Sequence, residues 1–425
     1  MCSRTDRRRC TLPPALLALP ALLALGTAAV LRTSDSRATD WELSLDGRLV
    51  SAHSQPSLMD GGLGTLRFGT GDASVQLGRA RLALTQQLGE RWSVHLDASM
   101  YDDKDRGPAG LTEAYLLFRP YLFAGYRFRL KAGGFYPAIS LENRTGGWDS
   151  PYTLSYSAIN SWIATEVRPL GVEGTLDWLG SRTGHRIDLG ATGGVFGWSQ
   201  GTGVVLANNG FSLSDRQTPL FGRVGQPGAQ PLGGAEPFLQ FDHHAGEYLG
   251  IEVRYLNRVL LRALRFDNRA APEGDAVTTA NYSQWTRFNS AGARIEGDRG
   301  WTAIVQWLAG DTTTAADGVP GAQASWPFRA EFGLLAQRFG RSTLSARYDR
   351  FTVDSVGAWD YGAQDGHAWT AAYAFAPDAH WRFTLEWVQV LSSSSSRVYF
   401  GGPPLLTETQ AQLAVRYSLG SAAGY

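Results

Sequence analysis

The sequence is poor in cysteine and lysine, and it has no long hydrophobic run after residue 30. Its two cysteines, Cys2 and Cys10, lie at the extreme amino end, so a chain that lost this segment would hold no disulfide. The 39 basic and 39 acidic residues balance, which leaves no basic surplus for a nucleic-acid partner. Without further apolar stretches of about 20 residues, a bundle of membrane-spanning helices is also excluded.

The first 30 residues have the layout of a secretory signal peptide. Basic residues at positions 4 and 7–9 precede an apolar run rich in Leu and Ala over 12–30. A spanning helix is the competing interpretation, but three prolines interrupt the run. We therefore predict a signal peptide over residues 1–29, with cleavage as late as about residue 39, followed by a single domain over 40–425.

The remaining chain alternates apolar and polar residues in segments of about ten. Clear examples are residues 92–101, 113–119 and 126–133. Successive side chains of a strand point to opposite faces of the sheet, so each segment has one apolar face and one polar face. Aromatic residues make up 12% of the chain and glycine contributes 50 residues, which is typical of membrane β-strands that a hydropathy scan misses.

Short connections and long connections follow one another along the chain. The short ones are 89–90, 122–125, 179–184, 257–258, 297–300, 339–341 and 376–379. They imply 14 strands, and terminal strands near 41–50 and 407–419 bring the number to about 16, within a range of 14 to 18. This predicts an all-β fold, a transmembrane antiparallel β-barrel with short periplasmic turns and long external loops.

The alternation has three irregular places. Its parity changes near Gly78, which predicts a bulge or a loop end there. Arg262 and Arg287 fall on faces that would otherwise be apolar. Residues 236–243 form either an additional strand or part of a folded loop.

Aromatic residues lie close to the short connections. They are Trp92, Tyr121, Trp178, Trp301, Phe339 and Trp381. A soluble β-sandwich would alternate too, but it has no reason to ring its turns with tryptophan, as a barrel at a bilayer surface does. We therefore predict the outer membrane of a Gram-negative bacterium, with membrane lipid and the barrel-insertion machinery as partners.

Cations occupy alternate positions of one predicted strand. The predicted pore-lining residues are Arg79, Arg81, Glu113, Arg119, Arg127, Arg129 and Lys131. A row of cations facing a confined lumen would concentrate anions. The alternative is a set of ordinary solvated charges, balanced by Glu113, Asp97 and Asp188, and the sequence leaves both open.

The third long connection, residues 136–167, directly follows these cations. The charged residues predicted for it and its end are Glu142, Arg144, Asp149, Glu166 and Arg168. A loop of this length with mixed charge and several aromatics either folds into the lumen as a constriction or caps the barrel from outside.

Two stretches resemble the phosphate-selective porin O and P family: RFRLKAGGFYP at 127–137 and EVRPLGVEG at 166–174. The resemblance implies a 16-stranded channel, often trimeric, that passes anions. The lysine cluster of that family is not reproduced, since Lys104 and Lys131 are the only lysines here.

Catalytic and metal-binding patterns are weak. His243 and His244 adjoin Asp242 without a third ligand at metal-like spacing, and the acidic run at 102–105 lacks the spacing of a calcium loop. No nucleophile elbow or phosphate-binding loop occurs. We predict no enzyme, metal or cofactor, but a porin-like channel for passive diffusion of small polar or anionic solutes. The alternative is a barrel whose external loops carry an enzymatic or adhesive function.

Overall fold

The computed structural model describes residues 39–69, 71–102, 109–226, 234–240, 243–272, 283–315, 323–357 and 361–421. The predicted signal peptide lies outside the described residues.

Within these ranges the chain forms one antiparallel sheet of sixteen long strands and one strand of two residues. The strands are β1 (Thr39–His53), β2 (Gly71–Gln87), β3 (Trp92–Met100), β4 (Ala109–Phe118), β5 (Tyr126–Gly134), β6 (Leu170–Trp178), β7 (Ile187–Gly197), β8 (Gly246–Tyr255), β9 (Val259–Asp267), β10 (Trp285–Glu296), β11 (Trp301–Ala315), β12 (Gln323–Phe339), β13 (Ser342–Val353), β14 (Val356–Gly357), β15 (Gln364–Phe375), β16 (Trp381–Ser394) and β17 (Leu405–Gly420). The helices are α1 (Ala158–Glu166), α2 (Val204–Asn209) and α3 (Ser395–Tyr399), with 3-10 turns at Leu58–Asp60 and Gly180–Thr183.

The sheet closes on itself, because β1 pairs with both β2 and β17. Leu45, for example, lies opposite Ala80 on one side and Tyr417 on the other. Closure pairs the edge strands with each other, which satisfies the backbone hydrogen bonds that a bilayer could not. The predicted barrel and its strand number are confirmed.

The seven predicted short connections are confirmed, and the longer loops lie at the opposite end of the barrel. The predicted irregularity at Gly78 is a bulge, since Arg79 lies opposite Asp46 while Leu77 lies opposite Gly47. Of the segment 236–243, residues 236–240 and 243 belong to a folded loop and not to a strand, and residues 241–242 lie outside the described ranges.

The outward face of the barrel is apolar. On β16, the side chains of Trp381, Phe383, Leu385 and Trp387 are all exposed, whereas the residues between them are largely buried. A band of exposed Trp, Phe and Leu is what a hydrocarbon environment requires of a spanning strand.

No described helix has both the length and the apolar character needed to span a membrane.

The hydrophobic core lies inside the barrel. Phe266, Phe288, Phe328 and Phe351 point inward from four strands and are buried together with Trp162 of α1. Polar side chains therefore line only part of the inner wall. This differs from the expectation that each strand has a polar inner face.

Candidate functional site

The third long connection folds into the lumen. This loop, L3 (residues 135–169), joins β5 to β6, yet it contacts wall strands far around the barrel. Arg347 of β13 donates to Glu142 with an Nη1–Oε1 distance of 2.6 Å, and neither side chain has exposed surface. L3 thus contacts the inward face of β13.

Further contacts hold L3 against the wall. The Glu386 carboxylate of β16 accepts the backbone N–H of Leu154 at 2.6 Å and that of Ser155 at 3.0 Å. Asp149 pairs with Arg79 of β2 and with Arg416 of β17. Burial opposes the charge on Asp149, but Arg416 and Arg79 outweigh it and hold the pKa of this carboxyl below its usual value.

L3 also reaches toward the short-turn end of the barrel. Arg144 is exposed and donates to Glu296, the last residue of β10, at 2.5 Å. Arg262 of β9 donates to the carbonyl of Ser140 at 2.8 Å. L3 therefore follows much of the inner circumference of the barrel.

A second loop fills the external half of the lumen. We call residues 203–218, in the loop between β7 and β8, the strap; its residues are buried except for the half-buried Asn208. The strap begins beside Thr312 of β11, with Thr286 of β10 donating to the carbonyl of Thr202. It ends with Asp215 paired to Arg48 of β1 at 2.5 Å, so it crosses the lumen from wall to wall.

Glu166 joins the two loops. Its buried carboxylate accepts hydrogen bonds from the backbone N–H groups of Gly203, Val205 and Leu206 and from the indole of Trp162, at 2.7–3.1 Å. Burial raises the pKa of Glu166 to about 7, against the effect of these donors.

Arg168 has a supporting position at the end of L3. Its guanidinium is buried, lies 4.6 Å above the Tyr136 ring and 5.1 Å from the Phe238 ring, and donates to the carbonyls of Thr112 and Ala164. These contacts make it a packing element between loops and not a free charge.

The predicted cation row of β5 does face the lumen, but each cation has an acidic partner. Arg127 and Arg129 share Asp177 of β6 at 2.9 and 3.1 Å, and Lys131 lies 3.2 Å from Glu173. The strand register places these acids directly opposite the row, at Arg127↔Asp177 and Lys131↔Glu173.

Of the three counter-charges expected from the sequence, Asp97 pairs with one of the predicted pore cations, and the other two accept backbone N–H groups. Asp97 pairs with Arg81 at 2.6 Å, Glu113 accepts the Tyr136 N–H at 3.1 Å, and Asp188 accepts the Ser181 N–H at 2.8 Å. Of the remaining predicted pore residues, Arg79 and Arg81 are buried in ion pairs and Arg119 is exposed at the short-turn end of β4.

Sequence reasoning missed a second charged group across the wall. Arg254 of β8 and Arg262 of β9 both pair with Glu252. The signal for it was present, because Arg262 breaks the alternation, but only the pairing Glu252↔Arg262 shows why an inward arginine is accommodated there. Arg287, the other irregular arginine, faces outward, pairs with Asp311 at 2.9 Å and lies over Trp285.

A cavity of about 140 Å³ lies between these two groups, on the short-turn side of L3. Small residues form its floor, namely Gly190, Thr192 and Gly250, and Ala138 of L3 also lines it. Four cations (Arg129, Lys131, Arg254, Arg262) and three carboxylates (Asp177, Glu173, Glu252) line it. Arg127 does not line the cavity but shares Asp177 with Arg129. The residues that line the cavity thus carry a net charge of +1, and the cavity can attract small anions.

The weak metal candidates gain no support from geometry. In the part of the chain that the structure describes, no group of three or more His, Cys, Asp or Glu side chains lies close enough to hold a metal ion. His243 and His244 are exposed, and residues 103–105 of the acidic run lie outside the described ranges.

The fold is shared with known outer-membrane proteins. The outer-membrane channel DcaP of Acinetobacter baumannii is 10% identical, with a TM-score of 0.51 over 90% of this chain and 96% of that one. OmpT, an outer membrane protein of Vibrio cholerae, is 8% identical, with a TM-score of 0.50 over 91% and 99%. A closed barrel of this kind with an apolar outer face places the chain in a bacterial outer membrane.

No protein-family model matches the sequence. No curated protein matches it either.

Proposed function

We propose that the chain is an outer-membrane channel for passive diffusion of small polar solutes, with a preference for anions. The observation that carries this proposal is the lumenal cavity lined by four cations and three carboxylates, with Arg127 close by as a fifth cation that shares Asp177. The proposal assigns no catalytic step to the barrel or its loops.

Electrostatics supports an anion preference over a neutral pore. Both Arg127 and Arg129 depend on the one carboxylate of Asp177, so neither is fully neutralised. Charges that line a narrow aqueous space with low-dielectric walls act more strongly on a passing ion than the same charges on an open surface. A cavity with a net positive lining therefore favours anions although the chain as a whole is neutral.

The test is single-channel recording of refolded protein in a planar bilayer under a KCl gradient. The variant Arg127→Gln/Arg129→Gln/Lys131→Gln removes the β5 cations and leaves their acids in place. We expect the reversal potential to move from the chloride side toward the potassium side.

A matched control removes the same charge outside the lumen. Arg258, Arg329 and Arg350 lie on a short turn or on the outward face, and each pairs with an exposed or half-buried acid. Changing these three to Gln should leave the reversal potential near that of the unmodified protein. Equal shifts in both triple variants would contradict a selective role for β5, and a protein that never conducts would overturn the channel itself.

A further inference from the structure

L3 is fixed to the wall by buried charges on strands distributed around the barrel. Glu142 pairs with Arg347, and Asp149 pairs with Arg79 and Arg416. Truncating one partner of such a buried pair leaves an uncompensated buried charge, which is strongly destabilising. L3 is therefore held firmly against the barrel wall.

The strap packs against L3 on the external side of the loop. The hydroxyl oxygens of Ser161 in α1 and Ser212 in the strap are 3.0 Å apart. The Thr218 N–H donates to the carbonyl of Ala164 at 3.2 Å, and Glu166 accepts the N–H groups at the start of α2. Hydrogen bonds to L3 thus occur at the start, in the middle and at the end of the strap.

The charged attachment of the strap to a wall strand lies near the carboxyl end of the strap. Among the described residues, Asp215 is the one strap carboxylate paired with a wall strand, through Arg48, and its other partner is Arg67 of the loop after β1. At the strap's middle, Gln364 of β15 exchanges two neutral hydrogen bonds with the backbone of Phe211, at 2.7 and 3.1 Å. A neutral hydrogen bond contributes less than a hydrogen bond between charged groups, so the attachment at Gln364 is weaker than the ion pairs of L3.

The strap also obstructs the route to the charged cavity. It crosses between opposite walls, and the aromatic side chains of Phe211, Trp162 and Phe328 pack with it in the same buried cluster. A hydrated solute entering from the loop side meets this cluster before it reaches the cavity below L3.

We propose that the strap is a gate, which has to separate from L3 for solutes to pass, while L3 stays in place. This inference rests on the proposed channel function. It assigns the moving part to residues 203–218 and the contact that must break to the pair Ser161–Ser212.

A disulfide can hold this contact closed. The sequence after residue 38 has no cysteine, so Ser161→Cys/Ser212→Cys introduces one defined pair at a site where the side-chain oxygens already touch. The control pair Thr313→Cys/Ser325→Cys joins β11 to β12, where the hydroxyls are 3.0 Å apart, and does not involve the strap. Peptide mass analysis establishes that each bond has formed.

Conductance is then compared in oxidised and reduced protein. We expect the oxidised Ser161–Ser212 variant to lose most of its conductance and to regain it with dithiothreitol, and the control pair to conduct in both states. An oxidised variant that conducts like the unmodified protein would overturn the gate while leaving the channel intact. If the unmodified protein shows no conductance, the proposed channel function itself would be overturned.

A second variant acts in the opposite direction and needs no cross-link. Asp215→Asn removes the charged attachment of the strap to Arg48 and Arg67. We expect longer open times in single-channel records. Unchanged open times would contradict the assignment of Asp215 as the strap's anchor and, with it, the gate.

Discussion

Arg347 on β13 and Glu142 in L3 form an ion pair with both side chains fully buried, and Arg347 also contacts Asp349 at 2.7 Å. L3 follows β5 in the sequence, whereas Arg347 lies on β13. The pair therefore attaches L3 to a part of the wall that is distant from β5. The interior of the barrel is consequently a folded structure that depends on wall-to-loop charges and not a simple water-filled tube.

Replacement of Arg347 by Met should destabilise the protein by about 3–5 kcal/mol, because Glu142 and Asp349 would lose a buried counter-charge. Urea unfolding of the refolded barrel in detergent measures this. Arg350→Met is the control, since the half-exposed pair of Arg350 with Asp365 contributes less than about 1 kcal/mol. Equal losses in the two variants would show that L3 does not depend on the buried pair.

Phe328→Ala should cost about 3–5 kcal/mol as well, through a different mechanism. The Phe328 ring is buried and lies 5.0 Å from Trp162 of α1, so truncation leaves a cavity inside the barrel. Phe383→Ala on the outward face removes a ring that is 38% exposed and should cost much less. A small loss at Phe328 would indicate that this part of the lumen is hydrated.

Asp177→Asn should make the channel more anion-selective. The carboxylate of Asp177 is shared by Arg127 and Arg129, and its neutralisation leaves both cations without an acidic partner on β6. The reversal potential under a KCl gradient should therefore move toward the chloride side, opposite to the shift expected for the β5 triple variant. A shift in the same direction would contradict the electrostatic account.

The packing of the strap on L3 should weaken as pH rises. Burial raises the pKa of Glu166 to about 7, so the packed loops bind this proton more tightly than a solvated carboxyl, whose pKa is 4.5, would. The contribution is complete below pH 4.5 and is lost as pH rises through about 7.

Hydrogen exchange of the Val205 and Leu206 amides measures this packing. After correction for the intrinsic rate, protection should be greater at about pH 5 than at about pH 8. Glu166→Gln cannot titrate and should show no such difference. The same pH dependence in both proteins would assign the effect to another group.

The barrel was predictable from the sequence because its signals are local. Alternation, short turns and nearby tryptophans fix strands such as β3 and β16, and a change of parity locates the bulge at Gly78. These features depend on neighbours within about ten residues or on the adjacent strand, where sequence reading is most dependable.

The contents of the lumen were not predictable in the same way. On β12, the apolar Phe328 and Phe332 face inward, whereas Arg329 and Glu331 face outward with 60% and 42% exposure. A rule that directs apolar residues to lipid assigns this segment to the wrong faces. These inward apolar residues pack against buried apolar residues of L3 and the strap, such as Trp162 and Phe211. Both loops lie far from β12 in the sequence.

The acids that neutralise the β5 cations illustrate a second limit. Asp177 and Glu173 belong to a strand that follows L3, about 45 residues further along the chain, and only the register of β5 with β6 places them opposite the cations. A one-residue slip would have turned them toward lipid. Charge balance in the lumen is thus a property of strand pairing and not of any single segment.

The most direct measurement is the reversal potential of the unmodified protein, recorded from single channels in a planar bilayer with a KCl gradient. The account predicts discrete conductance steps and a reversal potential displaced toward the chloride equilibrium value, because five lumenal cations share three carboxylates. A reversal potential on the potassium side, or a folded and inserted barrel that never conducts, would contradict it.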